Sequence, residues 1–108
     1  MMDTLKGLYE VVQSRKDNPQ EGSYTCYLFE KGLDKILKKC GEECTEMVIA
    51  AKNQDNEELS NEICDLLYHM LVLMAERELP LEDVEAILEQ RRQKIGNLKQ
   101  FHVSDHNT

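Results

Sequence analysis

The chain has no run of about 18 apolar residues, the length a helix needs to cross a bilayer, so no membrane span is expected. It also lacks the basic-then-apolar leader of a secreted protein, because Met1 to Lys16 is amphipathic and mixed in charge; a cytoplasmic location is expected. Cys26, Cys40, Cys44 and Cys64 show no Cys-x-x-Cys spacing, which argues against a zinc site or a disulfide framework. Basic residues are the minority, 13 against 21 acids for a net charge of −8, and that balance disfavours a nucleic-acid backbone as partner. Strand-like alternation of apolar and polar residues is missing throughout. The class expected is therefore all-α, a bundle of four to five helices.

At 108 residues a single domain is expected over 1–99, small enough for its core to be completed by dimerisation. The polar segment 100–108, with His102 and His106, is expected to fray. A first helix runs from Thr4 to about Lys16, with Leu5, Leu8, Tyr9 and Val12 on one stripe, and the turn-rich stretch from Asp17 to Gly22 closes it. Ser23, Tyr24 and Thr25 can cap a short helix ending at Gly32. Leu33, Ile36, Leu37, Cys40, Cys44, Met47, Val48 and Ala51 keep a period near 3.6, which predicts a long helix to about Asn53. Cys40 and Cys44 share its apolar face and read as core thiols. Asp55 and Glu58 form a capping-box variant opening a further helix to about Arg77. Its apolar arc is wide, since Leu67 and Leu71 fall beside the stripe of Leu59, Ile63 and Met70, as in a helix with neighbours on two sides. Pro80 starts a last helix ending near Gly96.

Two acidic clusters stand on the two long helices: Glu42, Glu43 and Glu46, then Glu62 and Asp65. Three acids in five residues, with no lysine neighbour to offset them, should weaken a helix through like-charge repulsion. A solvated face is the ordinary fate of one such pair, but its repetition on the next helix favours a cation between the two sets. At 100° per residue, Glu43 and Glu46 lie at about 280° and about 220° from Leu33, in one stripe with Lys35 and Lys39, whereas Glu42 points away from the core. Glu43 and Glu46 are therefore expected to be ligands, and Glu42 an outer carboxylate or base. On the next helix Glu62, Asp65 and His69 share one flank.

An all-oxygen donor set selects Mg²⁺ or Mn²⁺ over zinc, and the basic residues from Lys31 to Lys39 beside it suit a phosphorylated ligand. Metal-assisted phosphoryl or nucleotidyl chemistry is the reading that results. A di-iron carboxylate bundle would want Glu-x-x-His on two helices, and the chain has none. Ser23, Tyr24 and Thr25 read as a helix cap, or as hydroxyls for a ribose or phosphate; His69 reads as a groove histidine or a substrate contact.

The runs Gly22-Ser23-Tyr24-Thr25, Leu28-Phe29, Lys35-Ile36, Lys38-Lys39, Gly41-Glu42-Glu43, Glu46, Glu62 and Asp65-Leu66-Leu67-Tyr68-His69 closely resemble the phosphoribosyl-ATP pyrophosphohydrolase family over about Leu5 to Arg91. The wider kinship is with the MazG-like all-α nucleotide pyrophosphohydrolases, whose Glu-Glu-x-x-Glu and Glu-x-x-Asp pattern stands here as Glu42, Glu43, Glu46, Glu62 and Asp65. The resemblance implies Mg²⁺-dependent hydrolysis of phosphoribosyl-ATP to phosphoribosyl-AMP and pyrophosphate, the second step of histidine biosynthesis. It also implies a homodimer with helices of both subunits at the active site. In many members the domain is fused to the cyclohydrolase of the following step; a stand-alone form is expected here. Two alternatives stay open: a house-cleaning nucleoside triphosphate pyrophosphohydrolase, and a non-catalytic helical dimer binding metal for structure.

Overall fold

A computed structural model describes residues 2–96, and the expected frayed tail lies outside them. The described residues form five helices and no strand: α1 (Met2–Asp17), α2 (Tyr24–Lys31), α3 (Leu33–Lys52), α4 (Asn56–Glu76) and α5 (Leu81–Gly96). The all-α expectation holds, and each predicted helix boundary falls within about two residues of the observed one, the usual uncertainty of helix ends.

The starts and stops have local causes. Ser23 precedes α2 in extended geometry, and its Oγ accepts the Cys26 N–H at 3.2 Å. Asp55 does the same for α4, accepting the Glu58 N–H at 3.1 Å. Between α2 and α3 the chain turns at Gly32 with φ 92° and ψ −173°, a conformation essentially restricted to glycine. The Gly32 N–H still donates to the Leu28 carbonyl at 3.0 Å, so α2 ends satisfied while α3 departs in a new direction.

The antiparallel pair of α3 and α4 makes the most extensive contact, and α1 and α2 cover one side of it. Val12, Leu28, Ile36 and Val72, contributed by α1, α2, α3 and α4, are fully buried together; Tyr9, Leu71, Ala75 and Leu81 complete the cluster. Burying each of those aliphatic side chains contributes on the order of 1.5–3 kcal/mol, offset by the entropy of ordering it. Two long-range polar ties pin α1 to the end of α4. The Tyr9 hydroxyl donates to the Leu79 carbonyl at 2.6 Å, and the Lys16 ammonium donates to the Ala75 carbonyl at 2.8 Å.

No described residue covers the other side of the pair. Val48, Ile49, Ile63, Leu67 and Met70 are all exposed on α3 and α4. The core-thiol reading is corrected here. Cys40 is half-buried, with its thiol 3.5 Å from the His69 carbonyl, but Cys44 is exposed because it lies toward the part of α3 that no helix covers. Leu71 is buried while Leu67 is exposed, so the wide arc of α4 presents one apolar flank inward and another outward.

Candidate active site

The long antiparallel contact of α3 and α4 brings the two acidic clusters together across the helix pair. Carboxylate oxygens of Glu43, Glu62 and Asp65 all lie within 4.8 Å of one another. Glu43 is buried, Glu62 half-buried and Asp65 exposed, so the cluster runs from the packed interface outward to solvent. Two of its oxygens, Oε2 of Glu43 and Oε1 of Glu62, are buried with no hydrogen-bond partner among the described residues. Buried carboxylate oxygens normally have donors, and two orphans on carboxylates brought this close are what a cation between them would satisfy.

The electrostatics agree. Burial pushes the Glu43 carboxyl above its ordinary range, helped by the Glu46 carboxyl beside it. Glu62 is pushed up to about 7, through its contact with Glu58, through burial, and through the charges of Glu46, Glu58 and Asp65. Repulsion of this kind is relieved either by a proton or by a metal ion.

Glu46 stands next to both carboxylates but outside the tight oxygen group, and it is exposed. Glu42 turns outward, its side chain 47% exposed, toward the Lys39 ammonium at 3.3 Å. The same ammonium lies 3.6 Å from Glu43 Oε1. Lys39 thus offsets the first acidic cluster three and four residues on, which corrects the expectation that no lysine neighbour does so. Lys35 is half-buried one turn earlier and makes no ion pair among the described residues.

The three hydroxyl residues before and in α2 have three different surroundings. Ser23 is the cap. Thr25 is buried, its hydroxyl bonded to the Tyr68 hydroxyl of α4. Tyr24 is half-exposed, and its hydroxyl meets the buried His69 at Nε2, 2.9 Å away. His69 Nδ1 lies 2.7 Å from the Asp65 carbonyl, which can only accept, so Nδ1 donates there and Nε2 is left to the Tyr24 hydroxyl. Both ring nitrogens are engaged. Burial raises the Tyr24 phenol above its ordinary range, and the charges of Lys39, Glu43 and Glu42 act on it as well.

Sequence reading missed Glu58 as part of the cluster. The sequence places it in the capping-box variant with Asp55, while its carboxyl lies one turn before Glu62; the i, i+4 spacing of two acids is the available signal. The links from Thr25 to Tyr68 and from Tyr24 to His69 had no signal, because they span 43 and 45 residues of chain.

Comparison with known proteins bears directly on this arrangement. The pattern of the family described as phosphoribosyl-ATP pyrophosphohydrolase matches residues 5–92, which include every residue of the cluster. The chain belongs to that family. It is 64% identical over 92 residues to a protein of Listeria innocua named phosphoribosyl-ATP pyrophosphatase, covering 85% of this chain and 88% of the relative. A Clostridium botulinum protein of the same name is 59% identical over 97 residues, 90% of this chain and 88% of the relative. One from Bacillus mycoides, again of that name, is 53% identical over 98 residues, 91% and 92% of the two chains.

Proposed function

We propose that this protein is a cytoplasmic phosphoribosyl-ATP pyrophosphohydrolase of histidine biosynthesis. It hydrolyses the α–β phosphoanhydride of phosphoribosyl-ATP, leaving phosphoribosyl-AMP and pyrophosphate. The observation that carries the reading is the pair of orphaned carboxylate oxygens on Glu43 and Glu62, inside a group of acids that the family match spans.

Glu43, Glu62 and Asp65 would hold a divalent cation, with Glu46 as an outer or fourth ligand. Hard oxygen donors fit Mg²⁺, or Mn²⁺ in its place. When bound, such an ion neutralises charge on the triphosphate and makes water more acidic. The chain's own residues supply the rest. Glu42, outermost of the acids, orients the attacking water and takes its proton. Lys39 and Lys35 offset the negative charge that grows on the departing pyrophosphate. Tyr24, held by His69, together with Ser23, faces the substrate beside the carboxylates. Thr25 keeps α2 against α4 through Tyr68.

A homodimer is part of the proposal. Exposed Val48, Ile49, Ile63, Leu67 and Met70 form an apolar surface along α3 and α4 of the kind that partner subunits cover. Replacing Glu46 by Gln is expected to abolish metal-dependent pyrophosphate release and to leave a folded dimer. Near-wild-type turnover by that variant would sink the assignment of the acidic cluster as the catalytic centre.

A further inference from the structure

A concavity lies between the end of α1 and the start of α2, has a volume of about 940 Å³, and is lined among others by Arg15, Ser23, Tyr24 and Tyr27. That volume is in the range of nucleotide-sized ligand sites. Tyr24 and Tyr27 are 46% and 40% exposed, and their rings stack with centroids 6.2 Å apart and planes 27° from parallel. The Lys31 ammonium stands over the Tyr27 ring at 5.7 Å from its centroid, so one face of the pair already holds a cation, and the remaining exposed aromatic surface is one on which a purine can lie. The half-buried Arg15 makes no ion pair among the described residues; its one side-chain hydrogen bond among them is a long 3.5 Å approach to Ser14. A guanidinium at a cavity wall that is paired with none of these carboxylates can take an anion.

The ends of the proposed substrate differ chemically, and the acidic cluster and this cavity differ in the same way. The triphosphate requires the cation site. The other end is an adenine substituted at N1, which is more basic than ordinary adenine and carries delocalised positive charge, joined to a ribose bearing its own phosphate. Tyrosine faces favour a cationic ring, and Glu21, Glu30 and Glu76 at the cavity margin add negative charge. Tyr24 belongs to both places, because its ring lines the cavity and its hydroxyl meets His69 beside Asp65.

We infer that this cavity seats the phosphoribosyl-adenine end of the substrate, with the Tyr24–Tyr27 pair against the purine and Arg15 on the ribose phosphate. Arg15 is then the residue that distinguishes phosphoribosyl-ATP from ATP, which has the same triphosphate and purine but no second ribose phosphate. This rests on the function proposed above and adds to it the origin of selectivity.

The test compares kcat/KM for phosphoribosyl-ATP and for ATP in wild-type protein, Arg15→Gln and Tyr27→Leu, with Mg²⁺ binding measured by calorimetry in each. Arg15→Gln should raise KM for phosphoribosyl-ATP on the order of 10- to 100-fold, the effect of losing a charge-assisted hydrogen bond. Tyr27→Leu should raise KM for phosphoribosyl-ATP and for ATP alike, each roughly tenfold, the effect of losing a base-stacking face. Arg15→Gln should leave the KM for ATP unchanged, and Mg²⁺ binding should not change in either variant. Should Arg15→Gln fail to fold by circular dichroism, Arg15→Met, which keeps the apolar stem, replaces it. Selectivity unchanged in the folded Arg15 variant, or KM unchanged in Tyr27→Leu, would overturn the inference while leaving the proposed function intact. Wild-type protein that does not hydrolyse phosphoribosyl-ATP would overturn the function, and the seat with it.

Discussion

Replacing Glu43 by Met isolates what the acidic cluster costs the protein and what it holds. Glu43 is 7% exposed, and its Oε2 is buried without a donor. Leaving a buried polar oxygen unsatisfied costs about 1–3 kcal/mol, more if it is charged. Methionine has nearly the same length, has no oxygen, and adapts to an irregular site, so this cost disappears with little repacking. Against it stands the pair with Lys39 at 3.6 Å, an i, i+4 contact of about 0.3–0.5 kcal/mol, and Lys39 keeps Glu42 at 3.3 Å. Without metal the variant should therefore gain about 1–2 kcal/mol. For a domain of this size that is roughly 4–16 °C in Tm. The assay is thermal unfolding at neutral pH, once in EDTA and once in excess Mg²⁺ or Mn²⁺. Wild-type protein should be raised by the metal and the variant should not. A variant less stable than wild type in EDTA, or one with wild-type metal protection, would refute the claim that Glu43 is held in an unfavourable state for a cation.

Other consequences can be checked separately. Glu43 and Glu62 titrate above their ordinary range, Glu62 at about 7, so the metal-free folded protein keeps protons that the unfolded chain releases above about 4.5. The stability these protons contribute in EDTA should be full below about pH 4.5 and be lost as pH rises through about 7. Metal protection should run the other way, small at pH 5.5 and full at pH 8, and denaturation curves with and without Mg²⁺ across that range would reveal it. Gly32→Ala meets no atom within 4 Å, so its cost is backbone alone: about 1–3 kcal/mol for a side chain at φ 92° and ψ −173°, read from urea midpoints.

The fold was legible where one helix contains all the information. Ser23 and Asp55 announce their helices through side chains that reach only three residues forward, and the period of α3 needs no partner to be visible. The acidic cluster was legible for a related reason: Glu43, Glu62 and Asp65 are specified by spacing on two adjacent helices, and antiparallel packing does the rest. What stayed hidden depends on distances across the bundle. The outward turn of Glu42 and the pairing of Lys39 are rotamer choices, and a helical wheel has no rotamers. The burial of His69 behind Tyr24 requires α2 to sit on α4, and the exposure of Cys44 follows from which face of α3 is left without a neighbour. The family resemblance identified the chemistry earlier than geometry could, whereas the cavity beside Tyr24 emerged only once α1 and α2 were placed.

The central claim, that the carboxylates of α3 and α4 carry out metal-dependent hydrolysis of phosphoribosyl-ATP, is tested most directly by pyrophosphate release. Purified protein is incubated with phosphoribosyl-ATP, and separately with a panel of nucleoside triphosphates, each with Mg²⁺ and with EDTA. Release from phosphoribosyl-ATP that exceeds every other substrate by orders of magnitude, and that EDTA abolishes, is the expected result. Equal release across the panel would point to a house-cleaning pyrophosphohydrolase, and no release with any substrate to a metal-binding dimer without catalysis; either would contradict the account.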